Sequence, residues 1–85
     1  MDVEFDPAKN EANIATHGLS FADFSGFDAT PVVIEDDRYD YSETRLVAFG
    51  RVDGEGRSLV FTMRGDAMRI ISYRRAREKE IRRYE

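Results

Sequence analysis

Eighty-five residues with no cysteine set narrow bounds. A chain this short is expected to form one domain, residues 1–85, held by packing alone and suited to a reducing cytoplasm. Its net charge of −4 conceals a polarity: residues 1–44 hold eleven Asp or Glu against two Lys or Arg, and residues 45–85 hold six against eleven. The acidic start Met1-Asp2-Val3-Glu4 does not read as a signal peptide, and no apolar run approaches the roughly 20 residues that span a bilayer, so no membrane partner is expected.

Val3-Glu4-Phe5 reads as a short strand. Asp6-Pro7 is a helix cap followed by a proline at the first helical position. Ala8, Ala12 and Ala15 recur at helical spacing, and Gly18 is placed to end that helix in the left-handed conformation. Ser20 with Asp23 has the form of a capping box, so a second helix is expected to carry Phe21, Phe24 and Phe27 and to end at Thr30-Pro31. Val32-Val33-Ile34 reads as a strand, and residues 35–43 as an acidic loop. Alternation over Arg45–Val52 and Ser58–Met63 predicts two strands joined by a turn at Asp53-Gly54-Glu55-Gly56. Arg64-Gly65-Asp66 is the next turn, Met68–Tyr73 the last strand, and Arg74–Tyr84 a closing helix with Arg74–Glu78 and Glu78–Arg82 pairs. The expected architecture is α+β, in the order β-α-α-β-β-β-β-α, with a mainly antiparallel sheet and helices over one face.

The arginines carry the chemical argument. Each offers a permanently charged planar fork suited to phosphate. Arg64, at a strand end, and Arg74, at a helix start, are expected to converge. Arg69, Arg75, Arg77 and Lys9 are expected to hold an RNA backbone. Cleavage of RNA through its 2′-hydroxyl needs a base, a cation facing the phosphorane and a proton for the leaving oxygen. Arg64 and Arg74 suit the cation role, while Glu78, His17 and Tyr84 suit proton transfer. Other readings stand beside these: His17 as a donor to the last carbonyls of its helix, Glu78 as the salt-bridge partner of its neighbours. Asp36, Asp37, Asp40 and Glu43 lack the glycine and terminal glutamate of a calcium loop. No zinc, P-loop, dinucleotide or acyl-transfer motif occurs. Neither a metal nor a cofactor is expected.

Taken in order, Phe5-Asp6-Pro7-Ala8-Lys9, Asn13, His17-Gly18 and Phe21, then Glu35-Asp36-Asp37-Arg38, then Arg64-Gly65 and Arg69-Ile70-Ile71-Ser72-Tyr73-Arg74-Arg75-Ala76 with Glu78 and Tyr84, the chain resembles the BrnT family of small toxins from bacterial type II toxin–antitoxin systems. Tyr73 stands where that family usually has a small residue, and Phe5 where tryptophan is usual. The resemblance implies a RelE-like fold and a ribonuclease that arrests translation. It also implies a cognate ribbon-helix-helix, BrnA-like antitoxin, through which alone the toxin would meet DNA. From the residues themselves two classes stay open: a metal-independent endoribonuclease, or a non-catalytic module that binds RNA or the antitoxin.

Overall fold

The computed structural model describes residues 2–38 and 42–84. Asp40 of the expected acidic loop lies outside the described residues. Strand β1 (Asp2–Glu4) leads into helix α1 (Pro7–His17). The Asp6 carboxylate accepts from the Ala8 amide at 2.8 Å. At the other end Gly18, at φ 72°, donates its amide to the Ile14 carbonyl at 2.8 Å. Both ends are closed by the residues that the sequence marks for it.

The second expected helix is absent. Ser20 does cap, accepting from the Ala22 amide at 3.2 Å, but the element is one 3-10 turn, Phe21–Asp23. Gly26 at φ 127° cannot continue a right-handed helix. An extended path instead lets each phenylalanine enter the core separately. Phe21 is buried, Phe24 packs edge-on against Tyr73 at 5.5 Å, and Phe27 packs against Phe24 at 5.1 Å.

Strands β2 (Val32–Glu35), β3 (Leu46–Val52), β4 (Glu55–Arg64) and β5 (Ala67–Arg75) follow, then helix α2 (Glu78–Tyr84). The sheet order is β1-β5-β4-β3-β2, with β1 parallel to β5 and every other pair antiparallel. Val52 pairs with Glu55, so the β3–β4 turn is Asp53-Gly54 alone. Both of its residues have positive φ, as a two-residue hairpin of right-handed twist requires. The Asp28 carboxylate accepts from both turn amides at 2.8 Å, which holds it below the usual carboxylate range.

Arg74 and Arg75 end β5; they do not open α2. They pair with Ser58 and Arg57, because a ten-residue β4 needs a partner along most of its length. Between Val60 and Phe61 the register slips and Ile71 becomes the extra residue of a bulge. That slip lets Ile70 and Tyr73, three apart in sequence, both face the core.

Phe21, Ala48, Leu59, Phe61, Ile70 and Tyr73 form the core on one face of the sheet, joined by Phe5, Leu19, Phe24 and Phe27. Phe5 and Phe21 meet edge-on at 5.6 Å. Helix α1 lies on this face, along β5. The helices do not share one face as expected. By the alternation of β3, Phe49 points opposite to Ala48, and it is Phe49 that stacks on Tyr84 of α2, at 4.4 Å. Buried Ile81 of the same helix sits over Gly56. A Cβ there would come within 2.6 Å of Ile81 and 2.9 Å of the Ala76 carbonyl, so glycine is what lets α2 seat.

One polar residue braces the first face. Asn13 is buried in α1. Its amide nitrogen donates to the Tyr73 carbonyl at 2.8 Å and to the Leu19 carbonyl at 2.9 Å. Its amide oxygen accepts from the Tyr73 N–H at 3.1 Å. Strand β1 pairs with β5 only at Ala67–Arg69. Beyond it, the Asn13 side chain supplies the donor and acceptor of a missing neighbour strand.

Candidate active-site groove

Helix α2 covers only one end of the second face. The remainder is a groove of about 600 Å³. Its floor follows from period-two alternation: Val47 and Phe49 from β3, Ser58 and Val60 from β4, and Ser72 from β5, with Ile71 of the bulge beside them. Ile34, Glu35, Asp36, Asp37, Arg38 and Arg45 form one wall; Arg74, Glu80 and His17 stand at the other.

Arg74 and Glu80 are locked together. The guanidinium donates to the two carboxylate oxygens at 3.1 and 2.7 Å and to the Arg75 carbonyl at 3.1 Å. These contacts use three of its five N–H donors. The hydrogen bonds from Arg74 hold the Glu80 carboxyl below its ordinary value. Arg74 and Glu80 also belong to a second, shallower depression with Arg77, Lys79 and Arg83. Four cations and one carboxylate thus lead over the lip into the groove. The far wall holds three carboxylates and two arginines, and there buried Asp36 accepts from Arg38 at 2.8 and 2.9 Å.

The expected site residues are distributed unevenly over this geometry. His17 and Arg74 line one groove. Arg77 lies on the adjoining cationic patch. Lys9 is on the outer flank of His17, in a shallow pocket with Asn13 and Ile71. Arg64 and Arg74 do not converge. Arg74 pairs with Ser58, six positions along β4 from Arg64, which is about 20 Å of strand. Arg64 faces Glu43 at 3.9 Å, and Arg69 faces Glu4 at 3.5 Å. Arg75 donates to the His17 carbonyl at 3.0 Å, bracing the end of α1. Glu78 pairs with neither Arg74 nor Arg82. Its two oxygens take a bidentate contact from Arg51, and those hydrogen bonds lower its pKa. Tyr84 stacks its ring on Phe49, at the end of the second face that α2 covers.

Sequence reasoning singled out neither Glu80 nor the two floor serines. The serines had a signal: Ser58 and Ser72 fall on the polar phase of alternating strands. Glu80 had none, since a partner six residues from Arg74 makes sense only once Arg74 is known to be in a strand. No group of three or more His, Asp or Glu side chains placed to hold a metal occurs among the described residues, and no helix among them is long and apolar enough to cross a membrane.

The fold and site define a small α+β protein with a cation-rich lip leading to a groove whose floor is apolar apart from two serines. The chain belongs to the BrnT family: the family model described as ribonuclease toxin, BrnT, of type II toxin-antitoxin system matches residues 5–80. None of the curated proteins matches the chain with significance. Family membership makes it a ribonuclease toxin of a type II system, with an antitoxin as partner.

Proposed function

We propose that this toxin is a metal-independent endoribonuclease of RelE-like fold that arrests translation in the cytoplasm by cutting RNA in the groove between Arg74 and His17. The observation that carries the reading is the sharing of Arg74 between the groove and the cationic patch of Arg77, Lys79 and Arg83. A backbone tracked across the patch delivers a phosphate to Arg74. His17 takes the proton of the 2′-hydroxyl, and the 2′-oxygen attacks phosphorus. Arg74 faces the negative charge of the phosphorane. The 5′-oxygen leaves with a proton from solvent, giving a 2′,3′-cyclic phosphate and a 5′-hydroxyl. Ser58 and Ser72 supply hydroxyls on the floor beneath. Arg64 and Arg69, distant along the strands, take no part in the reaction.

The test is incubation of purified toxin with single-stranded RNA in EDTA, with analysis of the new ends. Wild type is expected to leave cyclic phosphates. Arg74→Ala and His17→Ala should each cut on the order of 100-fold more slowly while remaining folded at the assay temperature, Arg74→Ala with the modest loss of stability that removing the partner of Glu80 brings. Wild-type rates in both variants would overturn the site.

A second reading has its own observation. Glu78 and Glu80 are both engaged by arginines, as in a surface built for binding alone. RNA retained by the purified toxin but never cut would favour that non-catalytic module. A ribbon-helix-helix antitoxin fits either reading, with DNA reached only through it.

A further inference from the structure

Strand β2 is the outermost strand on its side of the sheet, paired only with β3 among the described residues. Its three apolar residues are all exposed: Val32 at 38%, Val33 at 47% and Ile34 at 39%. β-branched residues in an open edge strand are an invitation to a further strand, and proteins ordinarily blunt such edges with charge, proline or a bulge. Here the strand itself carries none of these before Glu35.

The direction of the free backbone groups follows from the ladder. The Asp36 amide donates to the Arg45 carbonyl at 2.8 Å, and the register continues through Ile34–Val47 and Val32–Phe49. Antiparallel pairs alternate between bonded and non-bonded. Val32 and Ile34 therefore turn their backbone groups to β3, and Val33 and Glu35 turn theirs outward. Residues 20–37 hold Asp23, Asp28, Glu35, Asp36 and Asp37 and no Lys or Arg. The edge is apolar in its side chains and acidic in its field.

We propose that β2 is the docking edge for the antitoxin, which adds an extended segment of alternating apolar and basic residues as a sixth strand. This rests on membership of the toxin–antitoxin family for the existence of the partner, and on the edge for where and how it binds. Ile34 and Glu35–Asp37 line the groove. Every second side chain of the added strand consequently lies along this wall of the groove, where Lys or Arg reaches Asp37. The partner's cations then occupy the groove opposite Arg74, so strand addition and RNA entry exclude one another. A second copy of this chain is disfavoured at the same edge, because two such edges bring like charges together. RNA is disfavoured for the same reason.

The experiment uses the toxin co-purified with the product of the gene adjacent to its own. Amide exchange in the wild-type complex should protect Val33 and Glu35, which exchange freely in the toxin alone. Val33→Pro removes the outward N–H while leaving the β3 pairing intact, a position where an edge strand accepts proline. It should weaken the complex at least about tenfold and leave RNA binding and thermal stability of the free toxin unchanged. Unprotected amides at Val33 and Glu35 in a stable complex would overturn the edge as the docking site. So would Val33→Pro binding as wild type, or its converting a dimeric toxin to a monomer. Failure of wild type to bind that protein at all would instead count against the expected partner, and the exchange pattern of any complex it does form separates the two failures.

Discussion

Arg74 and Glu80 set the response of the groove to pH. The folded Glu80 carboxyl lies below its ordinary value of 4.5 because Arg74 donates to it. A depressed carboxylate contributes stability that is full above the unfolded pKa and lost as pH falls through the folded one. The stability difference between wild type and Glu80→Gln is therefore expected to be largest at neutral pH and to shrink as pH drops below about 4.5. Urea melts at pH 7, 5 and 3 check it; a constant difference would mean that packing, not charge, is what Glu80 contributes. The same substitution leaves Arg74 without its counter-charge. RNA binding by Glu80→Gln should tighten a few-fold, which filter binding at fixed salt would show.

At the scale of elements, the join between α1 and β5 is the most vulnerable. Asn13→Ala would strand the N–H and carbonyl of Tyr73, both buried and both satisfied by one side chain. Orphaned backbone groups of this kind should cost about 2–4 kcal/mol together. In a domain this small that lowers the melting temperature on the order of 10–20 °C. Asn13→Asp sets a buried carboxylate oxygen against the Tyr73 and Leu19 carbonyls, so in a thermal melt at neutral pH it should be at least as destabilising as Asn13→Ala. The elements also show what the sequence could and could not carry. Asp6-Pro7, Gly18 and Asp53-Gly54 act where they stand, since caps and tight turns are local chemistry. Ser20 is equally local and equally real, yet it caps a single turn, because the core's demand for three separate phenyl rings outweighs a helical path past Gly26. The start of α2 was misplaced for a non-local reason. Arg74 and Arg75 have good helix propensity, and only the ten-residue partner strand draws them into the sheet. The bulge at Ile71 was visible only as a break in alternation between Ile70 and Tyr73.

For the whole molecule, the polarity of the sequence becomes a polarity of one groove. The cationic lip was legible as a run of arginines, whereas the identity of the wall opposite it was not, because residues 35–38 and 74–80 meet only through the sheet. Electrostatics of this kind predict salt dependence. If three to four of Arg74, Arg77, Lys79 and Arg83 contact phosphates, the logarithm of the RNA association constant should fall with that of salt at a slope of about −2 to −3. Lys79→Ala should make the slope shallower by about 0.7, in a titration of fluorescent single-stranded RNA from low to high salt. A slope unchanged by Lys79→Ala would take the patch out of the RNA path.

The Asn13 bracket on β5 has a consequence for how such molecules can associate. On that side the sheet ends in three residues of β1, two of them acidic, and then in a side chain that has already closed the next two backbone groups. A fibre needs two sticky ends so that each molecule can pass the pairing on to the next. Among the described residues the two edges of this sheet do not match: β1 is three residues with an acid at each end, and β2 is a β-branched run. A strand added at β2 therefore does not present the same edge again, and repeated head-to-tail addition is disfavoured.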